Sequence, residues 1–382
     1  MTRREDIRTL RVDQVGSLLR PKSLVDDFLA HGRGELARDE LDRRIDAAIR
    51  AVVARQEAIG FPVVTDGEFA RISWQVSFAT VRGWSLEALS WRNFVANPRM
   101  RAEDERPNMR GRDTADSFRT PATGRLRLAA NFPLSEYRRV AAIATRPAKA
   151  MIMGPDRVAQ MCDIAASAPH YASADEFLAD VVAIQSDMVG DLVDAGCPYV
   201  QLDEPSYTGY VDRATLERMR ARGEDPLASL RRAIAASNGA IDAHRGRAVF
   251  GIHVCRGNRA SMWHREGTYD GIAEELFGSL RFDRLLLEYD TARAGGFEPL
   301  RFVPRDGPVV VLGLVTTKTG EVETVDTLLR RIEDAQRFVP IEQLAISPQC
   351  GFASGMSGND LDEGQQWRKL EVLLEAARRA WG

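Results

Sequence analysis

The sequence has 382 residues, 44% of them hydrophobic and 28% charged, with a formal charge of −3. These ordinary globular values allow a large core, and the absence of a basic excess argues against a general nucleic-acid binder. No apolar run approaches the ~18–20 residues a membrane span needs. The charged start MTRREDIRTL has no signal-type apolar stretch, and four cysteines in so long a chain do not make a disulfide framework, so the expected compartment is the cytoplasm.

Short apolar runs alternate with longer helical patterns, the mark of repeated βα units and a parallel sheet. Strands are expected at 11–18, 62–65, 149–153, 199–202, 248–254, 284–289, 308–315 and 344–347. Helices are expected at 41–59, 174–195, 324–338 and 364–381. In the first, Ile45, Ile49, Val52 and Val53 recur at helical spacing, and in the second Leu178, Val181, Ile184, Met188 and Leu192 do. Eight strands predict an α/β fold, a (β/α)8 TIM barrel spanning 1–382 as one domain. Residues 69–123 break the rhythm. They carry Trp74, Trp84 and Trp91 and an arginine run (Arg99, Arg101, Arg106, Arg110, Arg112) that reads as a solvated charged loop, with an anion-binding lid as the alternative. The segment is expected to be an insertion after the second strand that folds over the barrel mouth.

Active sites of such barrels sit at the C-terminal ends of the strands. Those ends here carry Val15-Gly16-Ser17, Thr65-Asp66-Gly67-Glu68, Asp203-Glu204-Pro205, His253-Val254-Cys255, Glu288-Tyr289-Asp290, Thr316-Thr317-Lys318 and Gln349-Cys350-Gly351. A barrel built for stability alone has no reason to collect acids, thiols and imidazole at one end. In a strand, residues two apart point to the same side, so His253 and Cys255 can hold one ion. Glu288 and Cys350, from neighbouring strands, can converge on it, and such a set suits zinc. On spacing alone, core packing or a cysteine nucleophile with His253 as its base stays open, and Glu288 reads equally as an interior salt bridge. Cys162 and Cys197 read as buried hydrophobes. Lys318 reads as a solvated turn lysine.

Five ordered motifs then resemble the catalytic domain of the cobalamin-independent methionine synthases. They are Gln14-Val15-Gly16-Ser17 with Arg20-Pro21, Thr65-Asp66-Gly67-Glu68, Gln201-Leu202-Asp203-Glu204-Pro205, His253-Val254-Cys255 and Pro348-Gln349-Cys350-Gly351. The resemblance implies a uroporphyrinogen-decarboxylase-like (β/α)8 barrel and a catalytic Zn2+ on His253, Cys255, Glu288 and Cys350. It also implies an amino acid substrate held at Ser17, with Glu68 and Asp203 binding its ammonium group and serving as the candidate catalytic carboxylates. Val15 and Trp74 are placed beside them as substrate-binding residues. Two features depart from the pattern. The full-length plant and bacterial enzymes carry a second, N-terminal barrel without counterpart in this sequence, and Lys318 stands where they have a histidine that assists proton transfer to the leaving folate nitrogen.

The expected activity is zinc-dependent methyl transfer to a small-molecule thiol, homocysteine first, from a donor left open between folate, corrinoid and another methylated metabolite. Two alternatives stay beside it. One is alkyl transfer to another thiol such as coenzyme M, whose sulfonate would want cations where Glu68 and Asp203 stand. The other is a non-catalytic zinc- or ligand-binding barrel.

Overall fold

The structure, a computed structural model, describes residues 4–84 and 119–382. A small antiparallel pair, β1 (Val81–Arg82) and β2 (Arg127–Leu128), lies outside the main sheet. That sheet is parallel and in chain order: β3 (Lys149–Met153), β4 (Tyr199–Asp203), β5 (Val249–Val254), β6 (Arg284–Glu288), β7 (Val309–Val315) and β8 (Leu344–Pro348). Every residue of these six strands is buried, as a sheet covered on both faces requires. They are the third to eighth expected strands, displaced by a residue at most.

The first two expected strands shrink to single bridges. Val12 pairs with Ile346 of β8, and Val64 pairs with Ala148 just before β3. The reason lies in Gln56. Its buried amide accepts from the Thr65 N–H at 3.0 Å and donates to the Thr65 C=O at 2.8 Å, standing in for a neighbouring strand. Gln14 Nε2 donates to Gln56 Oε1 and to the Val63 C=O, at 2.7 and 2.9 Å. Leu18 N–H to the Gly67 C=O, at 3.1 Å, joins the two segments at their upper ends. Eight staves thus surround the axis, and the architecture is the expected α/β, TIM-barrel type.

Helices Arg38–Ala58, Ala174–Asp194, Val325–Gln336 and Glu363–Trp381 stand where periodicity put them. Ser173, Thr324 and Asp362 cap three of them, Asp362 through a reciprocal capping box with Gln365. Periodicity missed Lys22–Gly32, Phe132–Ala141, Arg213–Ala221 and Pro226–Ile241. The caps Asn131, Asp212 and Asp225, with proline in the first turn after Asn131 and Asp225, were the available signals. Among the described residues no helix is long and apolar enough to cross a membrane.

Of the expected insertion at 69–123, the flanks are described. Trp74–Phe78 forms one 3-10 turn capped by Ser73, and Trp84 Nε1 donates to the Thr120 C=O at 3.1 Å while its ring meets Phe78 and Phe177 edge-on. Residues 85–118, with Trp91 and the arginine run, lie outside the described residues.

Candidate active site

A cavity of about 220 Å3 opens at the C-terminal ends of the strands. Val15, Ser17, Glu68, Trp74, Asp203, His253, Cys255 and Cys350 all line it. The structure therefore brings eight of the nine expected site residues to one space. Glu288 is the ninth and stays behind the lining.

The His-x-Cys element straddles the end of β5, and Cys350 follows β8. One ligand atom from each of His253, Cys255 and Cys350 lies within 4.8 Å of the others. The two sulfurs are 3.3 Å apart and not bonded to each other. Tetrahedral zinc with ~2.3 Å bonds would set them about 3.8 Å apart, a small adjustment. Both ring nitrogens of His253 are buried without a hydrogen-bond partner among the described residues. Such an imidazole beside two thiols fits a soft divalent cation. Without one, the adjacent Cys350 thiol and burial push the Cys255 thiol well above its ordinary range. The Gly257 N–H, 3.2 Å from Cys255 Sγ, favours the thiolate once a cation is there.

Glu288 ends β6, next to β5, and is fully buried. One carboxylate oxygen accepts from the Arg256 N–H at 2.9 Å, and the other from the Arg293 guanidinium. Burial opposes its charge, but Lys318, Arg293 and Arg256 hold it below the usual carboxylate range. It is an anion in waiting, with its oxygens presently engaged by arginine.

The acid pair, Glu68 and Asp203, lines the same cavity, with Asp203 in register beside His253 across β4 and β5. Gly67 and Glu68 both take left-handed backbone angles, φ 69° and 59°. A Cβ at Gly67 would sit 2.8 Å from the Phe69 ring, so glycine is required there. Glu68 is held in this uncommon conformation by its own N–H to Asp66 Oδ1, at 2.9 Å. Its Oε2 is buried without a partner among the described residues, and Arg71 reaches only Oε1, at 3.4 Å, because that guanidinium is committed to Glu136. Burial pushes Glu68 up to about 8, against the pull of Arg71 and with a further push from Asp203. Burial also raises Asp203, whose Oδ1 accepts from Gln201 at 2.6 Å. Two carboxylates short of a counter-charge make a receptor for a cation such as an ammonium group.

Ser17 lies against the Cys350-Gly351 backbone: a Cβ at Gly351 would fall 1.9 Å from its Oγ. Trp74, half-buried, is tied to the loop after β8 by its N–H to the Ser354 C=O at 3.0 Å. Cys162 and Cys197 are buried and absent from the thiol cluster, as the sequence suggested. Lys318 is a correction: it is buried, not a solvated turn residue, and its Nζ donates to the carbonyls of Gly257 and Met262 and to Asn258 Oδ1. Sequence reasoning also missed the loop it clamps, which lines the cavity with Arg259, His264 and Arg265. The clustering of one histidine and three arginines just after the His-x-Cys element was the signal for it.

The family of the cobalamin-independent synthase catalytic domain matches residues 15–358. The uncharacterized protein YxjG of Bacillus subtilis is 35% identical over 380 residues, which cover 97% of this chain and 94% of that protein. The methionine synthase of Pyrococcus abyssi is 23% identical over 378 residues, 98% of this chain and 93% of that one. A crystallised Listeria monocytogenes protein assigned to the vitamin-B12-independent methionine synthases superposes with a TM-score of 0.75 at 28% identity, over 98% of both chains. With motifs, barrel and full-length relatives in agreement, the chain belongs to the cobalamin-independent methionine synthase family, through its catalytic domain, and is a methyltransferase of that type.

Proposed function

We propose that this methyltransferase moves a methyl group onto the thiol of homocysteine, with zinc held by His253, Cys255 and Cys350 and with Glu288 as the fourth ligand once Arg293 releases it. The observation that carries this reading is the meeting, in one cavity, of a partnerless imidazole and two thiols with a pair of under-compensated carboxylates. Bound zinc would keep the substrate sulfur as a thiolate, the nucleophilic form, at neutral pH.

The protein's own groups do the rest. Glu68 and Asp203 take the α-ammonium and gain the counter-charge they lack. Ser17 and the backbone near Gly351 seat the other end of the amino acid. This fixes the direction in which the sulfur points, so that the donor methyl meets it in line. The two cysteinates and Glu288 leave the site electron-rich, which keeps the bound sulfur reactive. Trp74 stands at the cavity wall, where it can exclude water from the transferring methyl. The donor is a second small molecule, with folate, corrinoid or another methylated compound as candidates.

The test is zinc content of the purified chain and of Cys350→Ser, with X-ray absorption before and after homocysteine is added. About one zinc per chain, weakened in the variant, with one new sulfur in its shell on adding homocysteine, is the expected result. Stoichiometric zinc whose shell ignores homocysteine would point to another thiol, and a zinc-free chain would end the proposal.

A further inference from the structure

Helix Phe132–Ala141 packs against β3, and its buried face is formed by Pro133, Glu136, Tyr137 and Val140. The spacing is that of an apolar stripe, yet a glutamate stands in it. A carboxyl in such a place is costly unless it is paired. Its partner is Arg71, itself fully buried. Arg71 Nε donates to both carboxylate oxygens of Glu136, at 2.8 and 3.0 Å. Nη2 donates to Glu136 Oε2 at 2.6 Å and to the Met151 C=O of β3 at 2.7 Å. The remaining nitrogen, Nη1, reaches Glu68 Oε1 at 3.4 Å.

One guanidinium thus stands between two carboxylates. It is given to Glu136, which lies behind the lining, and barely shared with Glu68, which lines the cavity. The other cation near Glu68 does not make up the loss. Arg20 spends both terminal nitrogens on backbone carbonyls, those of Ala353, Gly355, Glu68 and Arg71, at 2.6–3.2 Å. Glu68 Oε2 and Asp66 Oδ2 stay buried with no partner among the described residues. Burial raises both competitors for Arg71, Glu136 to about 7 and Glu68 to about 8, so Glu136 ionises first. A buried ion pair contributes little net stability over an apolar replacement of the same shape. Stability alone therefore gives no reason to set Arg71 beside Glu68 and then bind it elsewhere.

We infer that Glu136 sets the specificity of the cavity without touching the substrate: by holding Arg71 it keeps that cation off Glu68, and so makes the acid pair a receptor for a thiol that carries an ammonium group. The inference rests on reading the cavity as a thiol methylation site, and it makes Glu136 a positioning residue. Without the Glu136 carboxylate, Arg71 turns to Glu68. A shift of about half an ångström brings the 3.4 Å contact to an ordinary charge-assisted distance. The acid pair is then satisfied from within the protein, and the ammonium of a ligand has less to gain there. A thiol whose only charge is anionic loses its disadvantage at the same time.

The test measures, by calorimetry on the zinc-loaded full chain, the binding of homocysteine and of its des-amino analogue 4-mercaptobutanoate. The variants are Glu136→Gln, Glu68→Gln and the two combined, and the readout is the ratio of the two Kd values. Glu136→Gln is expected to lower the preference for homocysteine about tenfold, with the Kd of the analogue unchanged or improved. In the Glu68→Gln background the same change is expected to move the preference less than about twofold, because the group it acts through is gone. Glu136→Asp, which keeps the charge, should restore most of the preference. Equal weakening of both thiols by Glu136→Gln, or a full tenfold effect in the Glu68→Gln background, overturns the inference. Should Glu136→Gln fail to fold, Arg71→Met combined with Glu136→Leu replaces the ion pair by apolar groups. That variant must prefer homocysteine at least as strongly as the wild type does, and a lost preference overturns the inference. A wild type that binds both thiols alike overturns it too. The methylation reading fails by a different measurement, the sulfur count around zinc, so the two failures are told apart.

Discussion

At the N-terminal end of the barrel, Asp13 is fully buried among three side-chain partners: Lys149 Nζ at 2.8 Å, Tyr199 Oη at 2.7 Å and Arg284 Nε at 3.0 Å. Those partners are the first residues of β3, β4 and β6. At the C-terminal end, Glu68 Oε2 and both nitrogens of His253 are equally buried and have no partner among the described residues. Burial disfavours charge at both ends, yet at the lower end Lys149 and Arg284 outweigh it and hold Asp13 below the usual carboxylate range, while at the upper end it drives Glu68 up to about 8. The difference separates a network that completes the fold from one that a ligand completes. Buried polar groups cost free energy until they are satisfied, so an upper end left unsatisfied is where binding energy can be gained.

Cys350→Ser should break the upper end with the largest effect. Replacing a thiolate by a weak hydroxyl ligand is expected to lower methyl transfer by about a thousandfold, read by initial rates beside zinc content, while the thermal midpoint of the metal-free protein barely moves. The lower end should answer in the opposite currency. Asp13→Leu strands two buried cations, and removing one partner of a buried pair costs about 3–5 kcal/mol. Urea titration should show that loss, while any folded fraction keeps its specific activity. If Asp13→Leu abolished turnover in a fully folded protein, the contrast between the ends would collapse.

Glu68→Gln should sharpen the comparison at smaller amplitude. Losing one charge-assisted contact is worth about 1.5–3 kcal/mol, so the KM for homocysteine should rise roughly 10- to 150-fold, with stability unchanged or improved. The pH dependence follows from the same group. A carboxyl raised from the usual 4.5 to about 8 holds a proton in the folded protein that the unfolded chain has already released. Its contribution is therefore fully present below about 4.5 and is lost as pH rises through about 8. Unfolding free energies between pH 5 and 8 should decline less steeply in Glu68→Gln than in the wild type. The smallest expected effect, because it is local, is at Lys318→Met. Loss of its charged donors should cost the β5 loop about 1.5–3 kcal/mol of local stability, read as faster proteolysis within residues 257–265, with the zinc content of the chain unaltered.

The sequence by itself determined the strand and helix spacing, hence the barrel class, and the polar residues that end each strand. Apolar periodicity is local, so strands of five to seven residues such as β3 and β7 are legible from the chain alone. The His-x-Cys element was legible for the same reason, since alternation along one strand places both side chains together. Partner choice was not. Gln56 replacing a strand for Thr65, and Asp13 meeting Arg284 from 271 residues away, depend on how the ring closes. So does the grip of Arg293 on Glu288, which separates that carboxylate from the three residues gathered around the thiols. The wall of Arg259, His264 and Arg265 needed the tertiary structure most. Its loop has no periodicity to read, and its shape is set by Lys318 and Asn359, which only folding brings to it.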